Sequence, residues 1–162
     1  MSGAGPFPAA RTGDPGIRGA HERAHTMHTV VEREVETRLV LAPELSVAVP
    51  ARLSYRTDDP YAVHMTFHIH SDTPVRWTFA RELLVEGVAQ PCGDGDVRVW
   101  PTTVAGRDVL CLALSSPNGD ALLEAPNQVV ADWLERVLRA VPPGSESEAL
   151  GLDEQLTGLL EQ

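Results

Sequence analysis

The residues with the plainest chemistry lie early in the chain, in HERAHTMH, His21 to His28. His21, Glu22 and His25 have the H-E-x-x-H spacing, which holds zinc when a helix puts both histidines on one face and the glutamate beside them acts as base. His28 adds a possible third nitrogen. The flanks argue against that geometry: GDPGIRG precedes the segment and a strand-patterned run follows it. So short an island does not hold a helix by itself in water. The expectation is a tail segment with adventitious metal affinity, with no metal site and no cofactor. His64, His68 and His70 fall on one face of a strand, with neighbours roughly 7 Å apart, yet no cysteine or acid stands at a supporting spacing. They read as solvated histidines on the polar face of the strand. Asp94 and Asp96 in CGDGD miss the calcium-loop pattern and read as a tight turn into a strand. Cys92 has no histidine partner, and Ser115-Ser116 lacks a nucleophile-elbow context.

The elements that must position these residues follow from periodicity. From Val31 the apolar residues alternate: Val31, Val35, Leu39 and Leu41, then Leu45, Val47, Val49, Leu53 and Tyr55, then Tyr61, Val63, Met65, Phe67 and Ile69, then Val75, Trp77 and Phe79. Four half-buried strands with turns at Asp58-Asp59-Pro60 and 71–74 make an antiparallel meander. ARELLVEGVAQP is a short helical turn, DVRVWP a strand, and GRDVLCLALSS a strand apolar on both faces. Asn118-Gly119-Asp120 signals a hairpin into ALLEAP. Helices follow, one through Val130, Trp133, Leu134, Val137 and Leu138, the other from about Leu152 through Leu156, Leu159 and Leu160. This is an α+β domain of about seven antiparallel strands and two C-terminal helices. Trp77 and Trp133 fall on apolar faces; Trp100 falls off the pattern and is placed at a sheet edge or a subunit contact.

Composition narrows the classes. The chain has 162 residues, long enough for one domain with a real core. Its charge is −10, and all 13 basic residues are arginines. The missing lysine excludes Schiff-base chemistry, and the acidity repels phosphate backbones. Two distant cysteines read as reduced cytosolic thiols. No apolar run is long enough for a membrane span, and the start has no secretory pattern. Residues 1–26, with three prolines and five glycines, read as a disordered extension.

DDPYAVHMTFH at 58–68, WTFARELLVEG at 77–87, CGDGDVRVWP at 92–101, LSSPNGDALLEAP at 114–126 and VPPG at 141–144 together resemble the SsgA-like proteins of actinomycete sporulation and cell division. The resemblance covers residues 27–162. It implies a non-enzymatic cytoplasmic protein at the division septum, a Whirly-like fold and a homotrimer. One branch of the family brings the tubulin-like FtsZ to the future septum, with paralogues localising it, so FtsZ or SsgA-like paralogues are the implied partners. The segment 80–100, with Arg81, Glu82, Asp94, Asp96 and Trp100, is the expected interaction face, and Gly144 sets the chain between the helices. The alternative is a single-stranded nucleic-acid binder of Whirly-like fold, which the −10 charge disfavours.

Overall fold

The strands run β1 (Val30–Ala42), β2 (Leu45–Arg56), β3 (Ala62–Phe67), β4 (Val75–Ala80), β5 (Val97–Val104), β6 (Arg107–Ser116) and β7 (Gly119–Pro126). Helix α1 (Arg81–Gly87) follows β4, and α2 (Asn127–Ala140) follows β7. The structure is a computed structural model, and it describes residues 29–68 and 72–150. The expected extension 1–26, the HERAHTMH segment, His70 and the helix from about Leu152 lie outside the described residues. Glu146–Leu150 are helical.

All seven strands join one antiparallel sheet in the order β4-β3-β2-β1-β7-β6-β5. It is two hairpin-built halves joined narrowly. β1 and β2 pair from Val30↔Arg56 to Ala42↔Leu45, whereas β1 meets β7 only at Arg38↔Glu124 and Leu39↔Leu123. The apolar alternation supplies the core: Val31, Val35, Val49, Leu53, Tyr55, Val63, Met65, Phe67 and Phe79 are buried. β6 is covered on both faces as its sequence predicts, with Val109, Leu110, Cys111, Leu112 and Leu114 all buried.

Alternation chooses a face but does not supply a cover. Leu41, Leu45 and Val47 share the odd pattern yet are 57, 55 and 41% exposed. The reason is position along a long hairpin. Helix α2 docks at the other end of β1, where Trp133 Nε1 donates to the Val31 carbonyl at 3.2 Å, roughly 30 Å of strand away from Leu41. Tyr61 and Val75 are exposed for a similar reason, since each lies just outside or at the end of its strand.

Helix α2 buries Val130, Trp133, Leu134 and Val137, one stripe at helical spacing, against the sheet. Helix α1 buries Arg81, Leu84 and Gly87 and touches both β4 and β5, the two edge strands. That close approach needs a glycine, because a Cβ on Gly87 would lie 2.2 Å from Val99 Cγ2. The β5 edge is itself closed. Cys92 and Val99 exchange backbone hydrogen bonds at 2.9 Å, and Pro101 falls at the next edge-facing position, where it exposes no N–H.

Gly87→Ala is expected to cost about 2 kcal/mol by overpacking. Gly95→Ala, which meets nothing within 4 Å, should be neutral or slightly stabilising. Paired urea denaturation curves check the contrast.

Candidate interaction surface

The segment from Ala80 to Trp100 does not present its residues in one way. Arg81 opens α1, but its helix face turns inward and the residue is 2% exposed. Its Nη1 donates to the Val141 carbonyl at 2.7 Å and to the Tyr55 hydroxyl at 3.3 Å. Its Nη2 pairs with the Glu146 carboxylate, and its guanidinium lies 5.7 Å from the Tyr55 ring centroid. Tyr55 in turn donates to the Pro60 carbonyl at 3.1 Å. Arg81 is therefore an internal tie and not part of an exposed face: a buried guanidinium needs partners for its donors, and here Nη1 and Nη2 find them within the chain.

Gly144 belongs to the same tie. Its φ of +90° suits a residue without a Cβ, and its N–H donates to Glu146 Oε1 at 2.9 Å. Glu146 thus joins the VPPG turn to Arg81. Its carboxyl is held below the ordinary glutamate value first by its own backbone N–H, then by Arg81 and the Gly144 N–H, against desolvation.

The remaining expected residues face solvent or a cleft. Glu82, Asp94 and Asp96 are exposed. On α1, Glu86 accepts a hydrogen bond from Cys92 Sγ at 3.2 Å. That bond, then burial and the charge of Glu86, push the Cys92 thiol up, away from a reactive thiolate. Trp100 is half-buried on the edge strand, opposite Cys111. Together with Arg98 it lines a cleft of about 600 Å³ whose other walls include Val40, Ala113 and Leu122. Sequence reasoning missed this cleft, because β1, β5, β6 and β7 meet there only through the sheet order. The single signal was Trp100 standing off the alternation.

His64 corrects another expectation. It is not solvated: it is 9% exposed, with Nδ1 2.9 Å from Thr78 Oγ1 and Nε2 3.7 Å from Asp59. Burial, with Arg76 nearby, lowers its pKa. His68 is exposed. Among the described residues, no group of three histidine, cysteine or acidic side chains is placed to hold a metal ion, and no helix is long and apolar enough to cross a membrane.

A model of the family described as "Streptomyces sporulation and cell division protein, SsgA" matches residues 49–146. The chain belongs to the SsgA family. Among its relatives, the sporulation-specific cell division protein SsgB of Streptomyces coelicolor is 52% identical over 134 residues, covering 83% of this chain and 98% of the relative. The SsgB of Frankia casuarinae is 44% identical, covering 82% and 93%. Solved structures agree. One, from a study of SsgB mutations that correlate to longitudinal cell division during sporulation of S. coelicolor, superposes with a TM-score of 0.74 at 53% identity, covering 76% of this chain and 97% of that one. An SsgA-like sporulation-specific cell division protein from Thermobifida fusca gives 0.75 at 38% identity, covering 82% and 97%. This SsgA-family chain thus has the α+β, seven-stranded antiparallel architecture of solved family members.

Arg81→Met should destabilise the protein, because it leaves the Val141 carbonyl and Glu146 without their donor. The depressed Glu146 value fixes the acid behaviour. The pair contributes fully above about pH 4.3, the unperturbed glutamate value, and its contribution is lost as pH falls through the folded value. Denaturation at pH 7 and pH 3 should therefore show a larger gap between wild type and Arg81→Met at pH 7.

Proposed function

We propose that this chain is a non-enzymatic adaptor of sporulation-specific cell division, acting in the cytoplasm at the division septum to bring or localise FtsZ there. The observation that carries this reading is the 52% identity across 98% of a protein named sporulation-specific cell division protein SsgB. The working unit is residues 27–162, with residues 1–26 as an appended extension. The chemistry of the described surface suits an adaptor. Its half-buried thiol, Cys92, is pushed up rather than activated, and buried Arg81 behind it is consumed in an internal tie.

Exposed Glu82, Asp94 and Asp96 with half-buried Trp100 form the partner face in this reading. Arg81 and Gly144 act behind it by fixing α1 and the VPPG turn. An aromatic side chain among exposed charges is a common pattern at protein interfaces. The homotrimer implied by the family assembles through the β1–β2 tip, where Leu41, Leu45 and Val47 leave an apolar patch beside Pro43. The nucleic-acid alternative is weaker, since the clefts on the Trp100 side of the sheet are walled by Glu36, Glu124 and Asp120 as well as by arginines.

Pull-down of purified FtsZ by the wild-type protein is expected to succeed. Combined Glu82→Arg, Asp94→Arg and Trp100→Ala substitution should weaken it about tenfold or more, with thermal stability retained. Equal capture by the two proteins would remove this face from the account.

A further inference from the structure

The two edges of the sheet are not alike. β5 is closed by Cys92 and Pro101, while β4 at the opposite edge pairs with no further strand among the described residues. Arg81 N–H donates to the Tyr61 carbonyl, and the β3–β4 ladder runs from Ala62↔Ala80 to Phe67↔Val75. In an antiparallel ladder every second residue bonds its neighbour. Val75, Trp77 and Phe79 therefore bond to β3, and Arg76, Thr78 and Ala80 turn their N–H and C=O groups outward. These groups have no partner among the described residues. No proline interrupts Val75–Ala80, so the strand's own backbone is competent to pair with a further strand there.

The side chains say which strand. One row crosses the sheet as Glu34, Arg52, Thr66 and Arg76. Within it Arg52 is held by Glu34 at 2.6 and 2.8 Å. Arg76 ends the row, exposed, with no carboxylate bound to it among the described residues. The other face of β4 offers half-buried Trp77 and exposed Val75.

We propose that the β4 edge takes an extended segment of a partner protein by strand addition, with an acidic residue opposite Arg76 and an apolar residue opposite Trp77. Main-chain hydrogen bonds supply the affinity, and the alternating acidic and apolar side chains supply the choice. A second copy's β4 fits less well, since VRWTFA carries no carboxylate and its only charge is Arg76. The proposal deepens the adaptor reading by giving the chemistry of a partner, and it rests on that reading only in taking the partner to be a protein. Its test uses no division protein, so the two can fail separately.

The test is fluorescence anisotropy of a labelled octapeptide of alternating glutamate and valine, beside its lysine–valine counterpart, on the full chain. The glutamate peptide should bind, and Arg76→Glu should weaken it about tenfold while strengthening the lysine peptide. Thr78→Pro, which removes one outward N–H, should weaken both. In the amide spectrum, Arg76 and Thr78 should shift on binding ahead of β5 residues. No binding by wild type would overturn the proposal. So would binding indifferent to Arg76→Glu, or peptide-independent dimerisation lost in Thr78→Pro, which would assign the edge to a second copy.

Discussion

The buried guanidinium of Arg81 holds together parts that the sheet by itself joins weakly. The two sheet halves meet through only two residue pairs between β1 and β7. Arg81 reaches across that seam: it starts the helix that touches both β4 and β5, it bonds Tyr55 on β2, and it grips Val141 and Glu146 beyond the end of α2. Desolvating an ion pair is expensive, and an apolar replacement of the whole set would not of itself be less stable. What the charge adds is direction. A guanidinium fork accepts only partners at its corners, so one helix start, one strand and one turn are fixed relative to each other.

That constraint separates a tied interior from the exposed surface. Inside are Arg81, His64 and Trp133, with half-buried Glu146 beside them, each hydrogen-bonded within the chain, while Gly144 meets Glu146 at the surface. Outside are the acidic residues of α1 and of the loop before β5, the cleft at Trp100, the apolar hairpin tip and the β4 edge.

Much of the architecture was legible because strand and helix periods differ. The seven strands, the turn at Asn118-Gly119 and the stripe Val130, Trp133, Leu134 and Val137 all follow from spacing, and several motifs pointed to the family. What the spacing did not carry was cover and pairing across the fold. Leu45 and Val47 obey the core pattern and still face solvent, since neither α1 nor α2 reaches them. Arg81 reads as one more surface charge at a helix start; its burial depends on Tyr55 and Glu146, 26 and 65 residues away.

Hydrogen–deuterium exchange tests the tie most directly. In the native protein the amides of Gly144, Ser145 and Ala149 are hydrogen-bonded, to Glu146 Oε1, the Pro142 carbonyl and the Ser145 carbonyl. If Arg81 holds this turn in place, Arg81→Met should expose these three amides to fast exchange while the long β1–β2 ladder keeps its protection. Equal protection at 144–149 in wild type and Arg81→Met would contradict the account.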